Sequence, residues 1–396
     1  MSLRLCDVTG LLDAWYDPAW AAEWDAVGLV CGDPQQPVTK VLFAVDPAPA
    51  VVAEAVEWGA DLVVCHHPLL LAPVHGVAAT TPKGRVVHDL IGAGVALLTA
   101  HTNADVPADG VNESLARAVG ILDPGVLLDE DDDRRVERLV TYVPHEHAEV
   151  VRRAVADAGA GRVGNYDRTS FTSVGEGRFR PLQGADPLIG RVGALEVVGE
   201  SRVETVFPRG LRRQVVAALL AAHPYEEVAY DVVELAEAAG RTPSTRGHGR
   251  IGHLEAATTL RAFAEGVSTA LPATAHGVRV AGDPDRRVET VVVGAGSGDA
   301  MLEEVLRTGA DVYVTSDLRH HRAAEFREHD GPALVDVAHW AAEWTWLPVV
   351  ERKVREAVHR RGATVDTRVS AVVTDPWTFR VDHGAPMHTT DTGSTR

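Results

Sequence analysis

Two distant segments of the 396-residue chain share one pattern, and this repeat constrains the fold more than any other feature. Residues 40–67 read KVLFAVDPAPAVVAEAVEWGADLVVCHH, and residues 290–317 read TVVVGAGSGDAMLEEVLRTGADVYVTSD. Each has an apolar run, a turn of small residues, a stretch with helical periodicity, Gly-Ala-Asp and a second apolar run. Such continuous apolar runs are typical of strands buried on both faces of a parallel sheet, so each segment predicts a β-α-β unit.

The region between the two segments has a different pattern. An acidic run at 129–133 and a turn-rich stretch at 238–245 are predicted to bound it, and two strand-helix-strand blocks inside it indicate an α+β, ferredoxin-like module. We therefore expect an α/β fold whose core consists of two related halves with mostly parallel strands. The predicted parts are the first half of the core at 1–136, the insertion at 137–237, the second half at 238–381 and a polar tail at 382–396.

Charge and cysteine content exclude or disfavour several classes of protein. The 38 basic and 56 acidic residues give a net charge of −18, which disfavours binding to nucleic acid and to anionic membranes. The three cysteines are too few for a disulfide framework, and no C-x-x-C pair indicates a zinc ribbon or an iron–sulfur cluster. Because no apolar run is long enough for a signal peptide or a membrane span, we expect a cytoplasmic protein.

The sharpest local motif is His66-His67-Pro68, directly after the predicted strand LVVC. Ligands of parallel sheets bind outside the carboxyl ends of the strands, and a proline-kinked turn there can direct both imidazoles into one cavity. The pair could then give one ligand to each of two metal ions. The alternative is an exposed histidine pair in a surface loop.

The second motif, His101-Thr102-Asn103-Ala104-Asp105, also follows a predicted strand. Asp105 could supply a carboxylate ligand, and His101 could be a ligand or a hydrogen-bond donor to one. The alternative is a turn in which Asn103 and Asp105 cap the following helix, and for Asn103 we favour that alternative.

The third motif places His339 and Glu343 four residues apart at the start of a predicted helix, after the strand ALVDV. This spacing puts both side chains on one face, where they can hold the same ion. The same spacing is common on solvent-exposed helices, so its position after a strand is what favours a metal site.

The fourth motif contains Asp317 and His321, again four residues apart. They could orient metal ligands or transfer protons nearby. Alternatively, Asp317 caps a helix and the histidines are exposed.

Together these motifs predict a metal site of mixed imidazole and carboxylate character, which suits Zn, Fe, Mn or Ni. Five residues are too many for one catalytic zinc but enough for two ions about 3.5–4 Å apart, bridged by Glu343. Such a pair lowers the pKa of a bound water and supplies hydroxide near neutral pH. The predicted ligands are His66, His67, Asp105, His339 and Glu343.

With these motifs, the chain resembles the NGG-interacting-factor-three-like family, also described as GTP cyclohydrolase I type 2 homologues. The resemblance runs from about residue 8 to 381; an alanine at 26 and a serine at 316 replace the asparagine and glycine common in the family. The motifs that carry it are WDAVGL at 24–29, HHPLL at 66–70, HTNAD at 101–105, GRIG at 249–252 and DVAH at 336–339 followed by Glu343. Those shared with longer bacterial members are GNYD at 164–167, SFTS at 170–173 and HPYEE at 223–227.

The resemblance implies a dinuclear metal site on the same five residues, an inserted domain of the PII/CutA type and a toroidal homohexamer. The leading hypothesis is a metal-dependent hydrolase of the GTP cyclohydrolase kind, in which Glu343 bridges the ions and His321 or His101 transfers protons. A nucleotide substrate would need cationic partners, for which Arg319 and Arg250 are candidates. The alternative is a non-catalytic, metal-binding regulatory or scaffold protein that acts through its inserted domain and its oligomer.

Overall fold

A computed structural model describes residues 3–129, 136–235 and 245–381. The described residues form two compact units: the core unit, 3–129 with 245–381, and the inserted unit, 136–235. The predicted tail at 382–396 lies outside the described residues, as do 130–133 of the acidic run and 238–244 of the second predicted boundary. In the described ranges, every helix is too short or too polar to cross a membrane.

The two units are built from strands and helices of short to moderate length. The strands are β1 (Gly28–Cys31), β2 (Lys40–Ala44), β3 (Leu62–Cys65), β4 (Ala96–Thr99), β5 (Leu122–Asp129), β6 (Val136–Pro144), β7 (Ser170–Phe179), β8 (Glu196–Pro208), β9 (Tyr230–Glu234), β10 (Gly247–Thr259), β11 (Val278–Ala281), β12 (Arg287–Ser297), β13 (Val312–Ser316), β14 (Ala333–Val337) and β15 (Asp366–Val369). The helices are α1 (Leu5–Trp15), α2 (Pro49–Trp58), α3 (Pro82–Gly92), α4 (Thr102–Asp105), α5 (Val111–Ala118), α6 (Ala148–Asp157), α7 (Arg212–Ala222), α8 (Leu260–Ala270), α9 (Leu302–Thr308), α10 (His320–Glu328), α11 (His339–Trp344) and α12 (Leu347–Arg360).

The core unit contains two sheets. In the first, ordered β1-β4-β3-β2-β15, strands β4, β3, β2 and β15 are parallel neighbours and β1 is antiparallel at the edge. In the second, ordered β11-β14-β13-β12-β10-β5, strands β14, β13 and β12 are parallel and the remaining pairs are antiparallel. The protein is therefore a mixed α/β protein with several sheets.

The repeated Gly-Ala-Asp has the same structural role in both segments. Gly59 and Gly309 each follow a helix with a left-handed φ, of 72° and 66°, which is the conformation that glycine adopts without strain. Asp61 and Asp311 each accept hydrogen bonds of 2.6–3.0 Å from two consecutive backbone amides in or beside the first strand of their own segment. Each motif therefore ends a helix and fixes the entry of the next strand.

Burial on both faces explains why the strands of the repeat are continuously apolar. Residues of β2 and β3 alternate between one cluster that also contains residues of the second sheet and another that contains residues of α2 and α3. Residues of β13 alternate in the same way between the shared cluster and one with residues of α9 and α10. Both sheets thus contribute to one large apolar core.

The inserted unit has the element order β6-α6-β7-β8-α7-β9. Its sheet, ordered β7-β8-β6-β9, is antiparallel throughout. Residues of α6 and α7 pack with residues of β6 and β8 in a cluster separate from those of the core unit. The inserted unit therefore has its own hydrophobic core.

Candidate metal centre

The centre begins where β3 ends. After Cys65 the chain bends at His66 and His67, and their backbone amides donate to the carbonyls of Ala44 and Val45 at 3.2 and 2.8 Å. Adjacent side chains on an extended strand normally point to opposite faces. Here the two imidazole centroids lie 5.2 Å apart, so both rings reach one region beyond the strand end.

His66 presents a buried nitrogen that lacks a hydrogen-bond partner. The side chain is fully buried, and its Nδ1 donates to the carbonyl of Ala100 at 2.9 Å, which leaves the lone pair on Nε2. Nε2 has no hydrogen-bond partner among the described residues, yet it lies 3.5 Å from Glu343 Oε1 and 3.7 Å from Asp105 Oδ1. A buried lone pair between two carboxylates suits coordination of a cation.

Three further histidines share a different arrangement, in which Nδ1 faces a carboxylate oxygen. An ionised carboxylate only accepts hydrogen bonds, so in the neutral ring the proton is on Nδ1 and the lone pair is on Nε2. Carboxylates commonly orient metal-binding imidazoles in this way. The pairs are His67 with Asp46 at 2.7 Å, His101 with Asp25 at 2.8 Å and His339 with Asp317 at 2.6 Å.

Asp317 follows β13 with a φ of 56°, a left-handed conformation uncommon outside glycine. Its carboxylate bonds to His339 rather than to a helix end, because α10 begins at His320 with Arg319 at its N-cap and without a side-chain cap. The alternative that Asp317 caps this helix is therefore wrong.

Glu343 lies one helical turn after His339 on α11 and is only 3% exposed. Its Oε1 is 2.8 Å from His339 Nε2, and its Oε2 is 2.9 Å from His67 Nε2. Gly296, with a φ of 71°, leaves the space for this carboxylate, since a Cβ there would lie 2.9 Å from Glu343 Oε1. The Glu343 carboxylate thus lies between the imidazoles of His66, His67 and His339.

The charges of the cluster depend on one another. Burial opposes ionisation of Glu343, but the imidazoles around it hold its pKa well below the usual range. Burial also opposes a charge on His67 and His339, and the carboxylates that contact each ring outweigh it and raise the pKa values to about 10 and about 11.

Burial disfavours the charged form of two other groups in the cluster. Burial raises the pKa of Asp105 to about 6, in spite of the nearby His66 ring. Burial and the neighbouring His66 lower the pKa of His101, which favours a neutral imidazole.

Two overlapping groups of side chains could each hold a metal ion. In each group, every residue offers one ligand atom, and the atoms lie within 4.8 Å of one another. His67 belongs to both groups. The groups are His66, His67 and His101, and His67, His339 and Glu343.

Three other residues suggested by the sequence are not members of these two groups. His321 is exposed on α10, with its ring 5.2 Å from that of His320. Arg319 is exposed and pairs with Asp299 at 2.5 Å. Arg250 is 1% exposed, and its guanidinium donates to four backbone carbonyls, so the hypothesis that it contacts a substrate phosphate is wrong.

Sequence reasoning missed the roles of Asp46 and Asp25. Asp46 comes shortly after β2, at the same carboxyl edge of the sheet as His67, so its position after a predicted strand could have revealed it. Asp25 lies in the WDAVGL motif, 76 positions before its partner His101, and only the fold brings the two together.

Known proteins match this chain along almost its whole length. The family model described as Duf34/NIF3 (NGG1p interacting factor 3) matches residues 3–376. The chain is 47% identical over 383 residues to a protein named GTP cyclohydrolase 1 type 2 homolog from Mycobacterium tuberculosis (strain ATCC 25618 / H37Rv), covering 97% of this chain and 98% of that protein. A protein of the same name from Bacillus subtilis (strain 168) is 38% identical, with 93% and 96% covered.

Two solved structures are also similar to this chain over almost its whole length. A Bacillus cereus protein related to NIF3 is 36% identical and superposes with a TM-score of 0.65, covering 96% of this chain and all of the other. Staphylococcus aureus protein SA1388 is 26% identical with a TM-score of 0.63, covering 96% of this chain and 99% of the other.

Proposed function

The chain belongs to the Duf34/NIF3 family, and from that premise we propose that it is a hydrolase dependent on two divalent metal ions. The observation that carries the proposal is the buried His66 Nε2, which has no hydrogen-bond partner among the described residues and faces two carboxylates. Two groups of side chains in this cluster could hold a metal ion, and five ligands are enough for two ions bridged by a carboxylate. The proposed ligands are His66, His67, Asp105, His339 and Glu343.

Each part of the site has a proposed task. Zn, Fe, Mn or Ni bound there would lower the pKa of a coordinated water and supply a hydroxide nucleophile. Asp46 and Asp317 hold His67 and His339 in the orientation that directs Nε2 inward. Glu343, with one oxygen near each of these rings, is the proposed bridge between the ions.

Proton transfer is assigned to His101 or His321. His101 is supported by its place beside His66 and His67, with ring centroids 5.0 and 5.5 Å away, and by a lowered pKa that leaves the imidazole able to accept a proton. His321 stays a proposal from the sequence alone.

The substrate class follows from the relatives' name. We propose a GTP-like nucleotide or another heterocycle whose ring is opened by hydrolysis. Self-association as a hexamer and a cytoplasmic location stay predictions.

The test is turnover by the metal-loaded protein. Purified protein with measured metal content is assayed with GTP, other heterocycles and phosphoesters. We expect turnover that chelation abolishes and that the double variant His67→Ala with Glu343→Ala lacks. Glu356→Ala, at an exposed residue of α12, serves as the matched control. Turnover that survives the double variant would exclude this mechanism.

A second candidate function is favoured by the inserted unit. Its own core and its β-α-β-β-α-β order support a ferredoxin-like domain of the PII/CutA kind, suited to regulation or assembly. In this case the protein would bind metal without turnover. A stoichiometric partner in pull-downs, lost on deletion of 137–237, together with no substrate consumed, would favour this function over the first.

A further inference from the structure

The inserted unit contains a cavity of about 750 Å³ that the proposed hydrolytic chemistry does not use. Its walls are β7, parts of β6 and β8, the loop at 180–189 and the loop before β9. This volume is within the range of small-molecule sites, about 300–1,000 Å³. Apolar side chains of the loop, Leu182, Leu188 and Ile189, form much of the lining.

One carboxylate lies in the wall of this cavity. Glu200 on β8 is only 8% exposed, and its Oε1 accepts a hydrogen bond of 2.8 Å from the Tyr225 hydroxyl. Gly177 on β7 permits this position, because a Cβ there would lie 2.0 Å from Glu200 Oε2. The carboxylate is thus held by a neutral donor and by a close approach to the backbone.

The nearby histidine does not neutralise this charge. His223 donates from Nε2 to the Tyr142 carbonyl at 3.0 Å and accepts at Nδ1 from the Tyr225 amide at 3.2 Å. A ring that donates on one side and accepts on the other is neutral.

The arginines that line the cavity pair with other residues or lie more than 4.0 Å from the Glu200 carboxylate. Arg178 pairs with Glu176 at 3.3 Å, and Arg202 pairs with Glu204. Arg180 also lines the cavity, but among the described residues no arginine, lysine or histidine nitrogen lies within 4.0 Å of the Glu200 carboxylate. The buried carboxylate therefore has no counter-ion in this part of the chain.

We propose that this cavity binds a small organic cation, an ammonium or guanidinium group on an apolar body, with the cationic group at Glu200. A buried charge without a partner is costly, and a cation from the ligand offsets that cost. Tyr142, Phe179 and Tyr225 line the same cavity, and the face of an aromatic ring attracts a cation. The apolar loop covers the body of the ligand.

The experiment compares three probes of similar shape on the full-length protein. They are 2-phenylethylammonium, neutral 2-phenylethanol and anionic 3-phenylpropionate, titrated by NMR. A ligand of this size is expected to bind with a Kd on the order of 1 mM. The variant Glu200→Gln keeps the shape and removes the charge. Glu176→Gln is the matched control, since this residue lines the same cavity but is exposed and already paired.

We expect the ammonium probe to bind most tightly and to lose at least about tenfold in affinity with Glu200→Gln, while Glu176→Gln changes it less than about twofold. Ala185→Phe, which narrows the cavity without changing its charge, should weaken the ammonium and the alcohol alike. The proposal is overturned by no ammonium binding up to about ten times that Kd, by equal binding of the three probes, or by full affinity of Glu200→Gln. It is also overturned if the cavity takes no probe and Ala185→Phe instead dissociates an oligomer, which would assign the surface to a second copy.

Discussion

Replacement of Glu343 by glutamine removes one charge and almost no volume from the candidate metal centre. The side chain is 3% exposed, and its two oxygens lie 2.8 and 2.9 Å from Nε2 of His339 and of His67. Both rings have pKa values well above 7, at about 11 and about 10, so in the metal-free protein each is protonated and paired with Glu343 at neutral pH. The substitution therefore leaves two partly buried cations without the counter-charge that they share.

The expected magnitude follows from burial. Removing one partner of a buried ion pair costs about 3–5 kcal/mol of stability. Either ring can release its proton in the variant, and because this removes an unpaired charge, the loss stays near that range. Loss of a charged ligand should also weaken metal binding by at least about 100-fold, which is the upper end of the effect of residues that only orient ligands. At a fixed metal concentration far above the Kd of both wild type and variant, this removes about 2.7 kcal/mol of ligand-induced stabilisation.

The assay is chemical and thermal unfolding of wild type and variant, with and without Zn²⁺ or Mn²⁺, together with metal analysis. The matched control is Glu356→Gln on α12, where an exposed carboxylate lies 3.8 Å from Arg360 and should contribute less than about 1 kcal/mol. If Glu343→Gln loses no more stability than the control and retains its metal, the carboxylate is not the centre of this cluster.

Three further predictions follow from the same geometry. Asp46→Asn should weaken metal affinity by about 10–100-fold, because it loosens the orientation of His67; chelator competition measures this, and an unchanged affinity contradicts it. Metal binding at pH 7 should release protons, because His67 and His339 are below their raised pKa values and only neutral imidazoles bind metal; calorimetry in buffers of different ionisation enthalpy should show a buffer-dependent heat. Arg250→Leu should cost about 3–5 kcal/mol, because it strands four carbonyls and the nearby Glu113; urea unfolding measures this, and a wild-type midpoint contradicts it.

The sequence predicted those strands and helices whose buried positions form a clear pattern within a short stretch of residues. The apolar runs before His66 and Asp317 are β3 and β13, and the helical stretch between His339 and Glu343 is α11. In contrast, β10 contains three glycines, two histidines and two charged residues, so neither alternation nor an apolar run marks it as a strand. Pairing with β5 and β12 on its two sides is what makes it one.

Part of the candidate site was equally invisible in the sequence. Asp25 contacts His101 across 76 positions, and Asp46 contacts His67 across 21, so no local pattern links either pair. For Arg250 the sequence suggested a role in the site that the fold excludes. A nucleotide substrate would need cationic partners, and Arg250 was a candidate, but tertiary packing buries it against backbone carbonyls.

The repeat accounts for both the scaffold and the asymmetry of the centre. When the two segments are aligned on Gly-Ala-Asp, Asp46 corresponds to Gly296 and His67 to Asp317. The first segment thus supplies an imidazole with its orienting carboxylate. The second supplies a carboxylate that orients an imidazole from α11, and a glycine that leaves room for Glu343. The shared Gly-Ala-Asp gives both segments the same helix end and strand start. The residues that differ at the carboxyl ends of the strands let both segments contribute to one centre.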